Sequence, residues 1–168
     1  MPPTISIRPV RTADEIAAVA ALFRAYEEAL EIDLEYQDFT SEVASLPGKY
    51  APPSGALLLA RDEMGRPVGC IGLRPMEQAG RCEMKRLFVS PEGRGCGLGE
   101  RLVDALVREA RRIGYKEMCL DTLPSMSAAQ VLYRAKGFEP IPAYYLTPIE
   151  GTAFLGLNLQ TGERVRAV

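Results

Sequence analysis

The sequence predicts an α/β (α+β) fold with a mixed central sheet of about six to seven strands and helices on both faces. Its length of 168 residues fits one domain with a proper core. Residues 55–61 and 66–74 are strand-like and are joined by a turn at 62–65, which predicts a hairpin. Strand and helix patterns then alternate through the second half of the chain, which predicts that the sheet is mixed.

The first third of the chain combines one strand with one long helix. Residues 4–8 read as an opening strand. Thr12 and Glu15, three apart, form a capping-box pair that predicts a helix start. The apolar face of this helix is formed by Ile16, Val19, Ala20, Phe23 and Leu30. Acidic residues are frequent over 27–38, and residues 40–54 are expected to be irregular with one short helix.

The second half carries the alternating elements. Residues 82–89 and 116–122 are predicted strands, and each is followed by a helix. Apolar residues at helical spacing mark the first helix: Leu98, Leu102, Leu106, Ala110 and Ile113. Gly114 and Gly137 are suitable residues to end the two helices. Two closing strands are expected at 138–146 and 153–159.

Composition excludes several function classes. A net charge of −2 argues against nucleic-acid binding by bulk electrostatics. No apolar run approaches membrane-spanning length and no signal peptide is visible, so we expect a cytoplasmic protein without a membrane partner. The four cysteines lack metal-ligand spacing, which predicts reduced thiols and no metal. Since the chain has no histidine, acid–base chemistry must use carboxylates, tyrosines, lysines or thiols.

A glycine-rich loop at 94–99, Arg-Gly-Cys-Gly-Leu-Gly, lies between a predicted strand and a predicted helix. Glycines at a helix start leave backbone N–H groups uncovered, and the helix dipole and Arg94 favour an anion. A P-loop would need Gly-Lys-Ser or Gly-Lys-Thr, whereas Glu100 follows Gly99. The dinucleotide fingerprint fails at the same position. The loop therefore predicts a different phosphate-bearing ligand.

The loop resembles the coenzyme A pyrophosphate loop of the GNAT superfamily of N-acetyltransferases, which reads Arg-x-x-Gly-x-Gly. The flanking motifs match as well: Leu-x-Val at 87–89, Ala-x-x-Leu-Tyr at 129–133 and Gly-Phe at 137–138. The resemblance covers about residues 81–139. Met126 stands where members often carry an asparagine that contacts the coenzyme, so that contact is not carried over.

The resemblance implies one acyl-coenzyme A N-acyltransferase domain over residues 1–168, with acetyl-coenzyme A as co-substrate. The acceptor would be a primary amine of a small molecule or peptide that attacks directly in a ternary complex. The implied coenzyme-binding residues are Leu87, Phe88, Val89, Arg94, Gly95, Cys96, Gly97, Leu98 and Gly99. Alternatives are a non-catalytic coenzyme A sensor or partner subunit, and an enzyme for another acyl chain or an oxygen acceptor. The oligomeric state stays open, a homodimer included.

Glu83 lies eleven residues before Arg94, where some GNAT enzymes place a general-base glutamate. There it could take the ammonium proton through water. The alternative is a structural glutamate paired with Lys85 or Arg81. If Glu83 is not the base, a residue of the acceptor side such as Glu27 or Glu31 would have to serve, or a water chain.

Tyr133 matches the family tyrosine that resembles a general acid for the coenzyme thiolate. The alternative is a core tyrosine whose hydroxyl donates a hydrogen bond to a backbone carbonyl. Cys96 lies within the loop, so a ping-pong route through a cysteine is also conceivable, although the family motif varies at this position.

The resemblance places the acceptor between residues 26–50 on one side and Tyr144 and Tyr145 on the other. The acidic stretch at 27–38 could attract a cationic amine. Three cations could instead hold a substrate carboxylate: Arg74, Lys85 and Arg86. The sequence does not choose between these two kinds of acceptor.

Overall fold

The computed structural model describes residues 4–160, which form one mixed sheet between two layers of helices. In chain order the elements are β1 (Ser6–Pro9), α1 (Ala13–Leu30), α2 (Phe39–Ala44), β2 (Ala56–Arg61), β3 (Pro67–Pro75), β4 (Arg81–Val89), α3 (Leu98–Ile113), β5 (Glu117–Thr122), α4 (Ser127–Ala135), β6 (Glu139–Pro140) and β7 (Ala153–Asn158). The seven strands are ordered β1-β2-β3-β4-β5-β7-β6. The predicted fold class is confirmed. Within residues 4–160, no helix has the length and apolar character needed to cross a bilayer.

Each face of the sheet has its own core. Leu102 and Leu106 of α3 and Tyr133 of α4 pack on one face, which we call the α3/α4 face. Val19 and Phe23 of α1 pack on the opposite face together with the apolar residues of α2, and we call it the α1/α2 face. Side chains alternate along a strand, so β2, β3 and β4 supply residues to both cores.

Several local predictions are confirmed. Thr12 and Glu15 form the capping box at the start of α1: the Glu15 N–H donates to the Thr12 hydroxyl, and the Thr12 N–H donates to the Glu15 carboxylate. α3 ends at Gly114, which has the left-handed conformation expected of a terminating glycine. The connection 40–54 contains the end of α2 and one short 3-10 turn.

The strand predicted at 138–146 is wrong beyond its first residues. Only Glu139–Pro140 pairs with β7, and the last contact is the Ile141 N–H donating to Phe154 O at 2.9 Å. Pro140 and Pro142 have no N–H for a ladder, which ends the pairing. Residues 141–152 instead run irregularly over the α1/α2 face, and they carry Tyr144 and Tyr145 to the site described below.

β4 and β5 separate in the middle of the sheet. Their parallel pairing covers only Arg81–Glu83 with Glu117–Cys119. Beyond Glu83, β4 stays paired with β3 alone, which opens a gap between the two parallel strands. A bulge at Arg86, where φ is 62°, accompanies a register shift against β3. As a result the consecutive side chains of Lys85 and Arg86 both contact residues of the α1/α2 face.

Candidate active site

The glycine-rich loop presents a row of free N–H groups at the end of the gap. In the described part of the chain, the N–H groups of residues 95–100 donate no hydrogen bond. Gly95 and Gly97 have φ of 85° and 73°, a left-handed conformation that a side chain would strain. A helix start with uncovered N–H groups is suited to a phosphate. Arg94 lies beside them, and its Nε donates to Val89 O at 3.2 Å.

Gly99 differs from the other loop glycines. Its φ is not left-handed, and an added Cβ would lie 3.8 Å from the Leu132 side chain, an ordinary contact. A methyl group at Gly99 would therefore fit without straining the turn. The Cys96 thiol donates to the Gly93 carbonyl at 3.2 Å.

The end of β4 supplies main-chain groups to the gap. The Ser90 N–H donates to Val68 O of β3, so the Val89 carbonyl in the same peptide faces the opposite, unpaired side. By strand alternation the Val89 N–H faces this side too. Leu87 lines the cleft formed by the gap, whereas the Phe88 side chain is buried in the α1/α2 core.

The cleft encloses about 440 Å³ of empty space, its open mouth included, and Tyr133 and Met126 line it. Tyr133 is 4% exposed, and burial raises the pKa of its hydroxyl well above the ordinary value. Among residues 4–160 that hydroxyl has no hydrogen-bond partner. The expected alternative, a structural bond from Tyr133 to a backbone carbonyl, is therefore not formed.

Glu83 lies on the α1/α2 face of β4 and is 6% exposed. Its Oε1 accepts from Arg74 Nε at 2.9 Å, and its Oε2 accepts from the Tyr144 hydroxyl at 2.7 Å. Lys85 Nζ is 3.9 Å away, so the predicted pairing with Lys85 is present but long. Arg81 does not pair with Glu83, because it contacts Glu117 and Cys119.

Asp121 of β5 lies two residues beyond Cys119, the partner of Glu83 where the strands part, and it lines the cleft directly. Its Oδ1 accepts from Lys85 Nζ at 3.2 Å and its Oδ2 from the Tyr145 hydroxyl at 2.6 Å. Burial opposes ionisation of Asp121, but Lys85 and Tyr145 hold its pKa below the ordinary value. Burial lowers the pKa of Lys85, while Asp121 and Glu83 oppose that shift. Gln37 completes the group, since its Oε1 accepts from Lys85 Nζ at 3.1 Å.

Glu42 and Arg86 form a second buried pair beside this group. Arg86 Nε and Nη2 donate to the two oxygens of Glu42 at 3.0 and 3.1 Å. The Arg86 guanidinium also lies 4.9 Å from the centre of the Phe39 ring. The Tyr50 hydroxyl donates to Glu42 Oε2 at 2.9 Å. Burial would raise the pKa of Glu42, but Arg86 and Tyr50 hold it below the ordinary value.

The acidic stretch 27–38 lies mostly outside the site. Glu27 Oε2 accepts from the Leu34 N–H, and Glu35 Oε1 accepts from the Thr40 N–H. These carboxylates stabilise the turns after α1. Glu27 and Glu31 line a shallow depression elsewhere on the surface, so the structure does not bring either of them to Glu83.

Sequence reasoning gave no role to Asp121, Glu42 or Gln37, and it named Arg74 only as one of three cations. A usable signal existed, because Asp121 and Arg74 interrupt otherwise apolar strands in the middle of the chain. A charge in a central strand is buried and needs a partner. Within residues 4–160, no three Cys, Asp or Glu side chains are grouped so as to hold a metal ion.

Comparison with known proteins decides the family. The family model for acetyltransferases of the GNAT family matches residues 15–138. The chain belongs to the GNAT family. An uncharacterized N-acetyltransferase of Schizosaccharomyces pombe is 37% identical to this GNAT protein over 158 residues, which cover 94% of the chain and 97% of the relative. YjgM of Escherichia coli, also an uncharacterized N-acetyltransferase, is 29% identical and covers 77% of this chain and 80% of its own.

Solved structures agree on the fold. A GNAT-family acetyltransferase of Staphylococcus aureus superposes on this GNAT protein with a TM-score of 0.77 at 21% identity. The superposition covers 93% of this chain and 99% of that one. Family membership and the names of the homologues make the protein an acyltransferase.

Proposed function

We propose that this GNAT protein transfers an acetyl group from acetyl-coenzyme A to a primary amine of a small molecule or peptide. The amine attacks directly in a ternary complex. The observation that supports this most is the gap between β4 and β5, which opens beside a loop whose N–H groups are free. A long ligand with a diphosphate at one end could be bound along such a gap.

The proposed donor site uses main chain more than side chains. The N–H groups of residues 95–100, with Arg94, would hold the diphosphate. The unpaired main chain of Leu87 and Val89 would hold the adjoining arm, and the Val89 N–H can donate to the acyl carbonyl. The coenzyme would supply the acetyl group as a thioester. Phe88 would support this strand from the core rather than contact the coenzyme.

Two residues on opposite faces of the sheet would each carry out one proton transfer. Tyr133 belongs to the α3/α4 face, and its free hydroxyl can donate to the departing sulfur. Its raised pKa keeps it protonated at neutral pH. Glu83 lies on the other face and is not part of the cleft lining, so it would take the ammonium proton through water. Two of its oxygen lone pairs are occupied and others stay open.

Asp121 is the alternative base, because it lines the cleft directly. Its lowered pKa makes it a weaker base than an ordinary carboxylate, and general bases work best with a pKa near the working pH. We therefore assign Asp121 to the positioning of Lys85 and Tyr145.

The test is a screen of amine acceptors with acetyl-coenzyme A that detects release of the free thiol. The expected result is acetylation of at least one amine class. Gly97→Val is the loop variant, because a side chain there is expected to obstruct the approach of a diphosphate and to strain the left-handed turn. Gly99→Ala is its matched control, since a methyl group at Gly99 makes only ordinary contacts. Calorimetry on folded Gly97→Val should show at least a tenfold loss of coenzyme A affinity, about 1.4 kcal/mol.

Each outcome separates one possibility from the others. Unchanged coenzyme affinity in Gly97→Val would show that the diphosphate binds elsewhere. Tight coenzyme binding without acetylation of any amine would contradict the proposed reaction and favour a coenzyme A sensor or a partner subunit. Turnover only with a longer acyl donor would show that the transferred group is longer than acetyl.

A further inference from the structure

Three cations face the acceptor side, and two of them are buried and paired with carboxylates. The Arg86 side chain is 2% exposed and directs its donors at Glu42. The Lys85 side chain is 4% exposed, and its ammonium contacts Asp121, Gln37 and Glu83. Both groups are buried against carboxylates of the protein, so neither is exposed to a substrate anion.

Arg74 is different. Its side chain is 24% exposed, and only its Nε makes a hydrogen bond, to Glu83. The Nη1 group is 3.5 Å from Glu42 and donates no hydrogen bond within residues 4–160, and neither does Nη2. A guanidinium has five N–H donors in a planar fork that suits a carboxylate. One edge of the Arg74 fork is therefore available.

Arg74 lines a cavity with about 720 Å³ of empty space, its open mouth included, which we call the acceptor cavity. Its wall includes Arg74, Glu42, Tyr50, Ser41 and Gln37, and Asp38 and Lys49 are exposed at its rim. Gln37 also lines the cleft that holds Tyr133, so the acceptor cavity and the cleft are neighbours. An acceptor in this cavity would lie beside both Arg74 and the position proposed for acetyl transfer.

The buried charges of the site balance. Three carboxylates (Glu42, Glu83 and Asp121) face three cations (Arg74, Lys85 and Arg86). Each carboxylate already accepts charge-assisted hydrogen bonds, so the site has no surplus negative charge for a polyamine. A zwitterion, which has a carboxylate near its ammonium, can use the Arg74 edge without upsetting this balance.

We propose that the acceptor is an amino acid or a similar small amino-carboxylate, and that Arg74 binds its carboxylate in the acceptor cavity. This inference rests on the proposed acetyl transfer. Arg74 Nε donates to Glu83, so a substrate carboxylate on the outer edge of the same guanidinium would be separated from the proposed base only by that guanidinium. The amine and the carboxylate of the acceptor are then close together, as they are in an amino acid.

The test compares free amino acids with the corresponding amino-acid amides, which keep the amine and lose the carboxylate. Wild-type protein should acetylate the acids with a kcat/KM at least tenfold higher than the amides. Arg74→Gln should bring this ratio close to one, mainly through the KM of the acids. Any effect of the variant through Glu83 changes acid and amide alike, so the ratio isolates recognition of the carboxylate.

The wild-type ratio needs no variant, so the test stands even if Arg74→Gln folds poorly. An equal or higher kcat/KM for amides or polyamines would overturn the inference and leave the proposed acetyl transfer intact. A preference for acids that survives in Arg74→Gln would overturn it as well. If Lys49→Gln removed the preference instead, the carboxylate would bind at the rim and the assignment to Arg74 would be wrong. Acetylation of no amine at all would reject the proposed function and this inference with it.

Discussion

Replacing Tyr133 by phenylalanine separates chemistry from structure, because its hydroxyl makes no hydrogen bond within residues 4–160. The ring fills the core beside Phe138, 5.7 Å between ring centroids, and stays in Tyr133→Phe. With no hydrogen bond lost, the free energy of unfolding should change by less than about 0.5 kcal/mol. A positioned general acid contributes about 10²-fold, so kcat should fall by that factor, or about 2.7 kcal/mol.

The assay measures kcat by thiol release, coenzyme A affinity by calorimetry, and stability by urea denaturation of the same preparations. Tyr26→Phe is the matched control, since Tyr26 lines the same cleft but has no proposed proton to transfer. The raised pKa of Tyr133 keeps it protonated as the pH increases, so the deficit should stay constant between about pH 7 and 9. Wild-type kcat in Tyr133→Phe would refute the assignment of this hydroxyl as the general acid.

Three further expectations concern the carboxylates. Glu83→Gln should lower kcat/KM by a factor that shrinks as pH rises, because more of the amine is then already neutral. Glu42→Ala should destabilise the fold by about 3–5 kcal/mol in urea denaturation, since it leaves the buried Arg86 guanidinium unpaired. The folded-state pKa values of Glu42 and Asp121 lie below their ordinary values. The ionised carboxylates therefore contribute fully to the free energy of unfolding above about pH 5, and this contribution is lost as pH falls below about 4.

Controls sharpen these three measurements. A pH profile of Glu83→Gln that runs parallel to wild type would show that Glu83 is not the base, and Asp121→Asn would then be the next variant. Glu109→Ala removes an exposed ion pair with Arg112 and should leave the unfolding free energy nearly unchanged. Equal destabilisation by Glu42→Ala and Glu109→Ala would contradict the expectation that losing a buried ion-pair partner costs more stability than losing an exposed one. Undiminished stability at pH 3 would contradict the lowered pKa values.

Local features were readable from the sequence, because each depends on residues that are close together in the chain. The capping box at Thr12 and Glu15, the periodicity of α3 and the free N–H groups of the loop at 94–99 all follow from short-range spacing. The predicted closing strand at 138–146 failed for a local reason too, since Pro140 and Pro142 were visible in the sequence.

Tertiary structure alone decided which charged side chains of the candidate site are paired. The same three cations could have bound a substrate, but Arg86 is paired with Glu42, 44 residues away, and Lys85 with Asp121, 36 residues away. Only packing selects such partners, because a charge is tolerated in the core when its counter-charge is fixed beside it. The sequence by itself determined the fold class and the glycine-rich loop at the start of α3. The parting of β4 and β5, the bulge at Arg86 and the partial exposure of Arg74 emerged only from the folded chain.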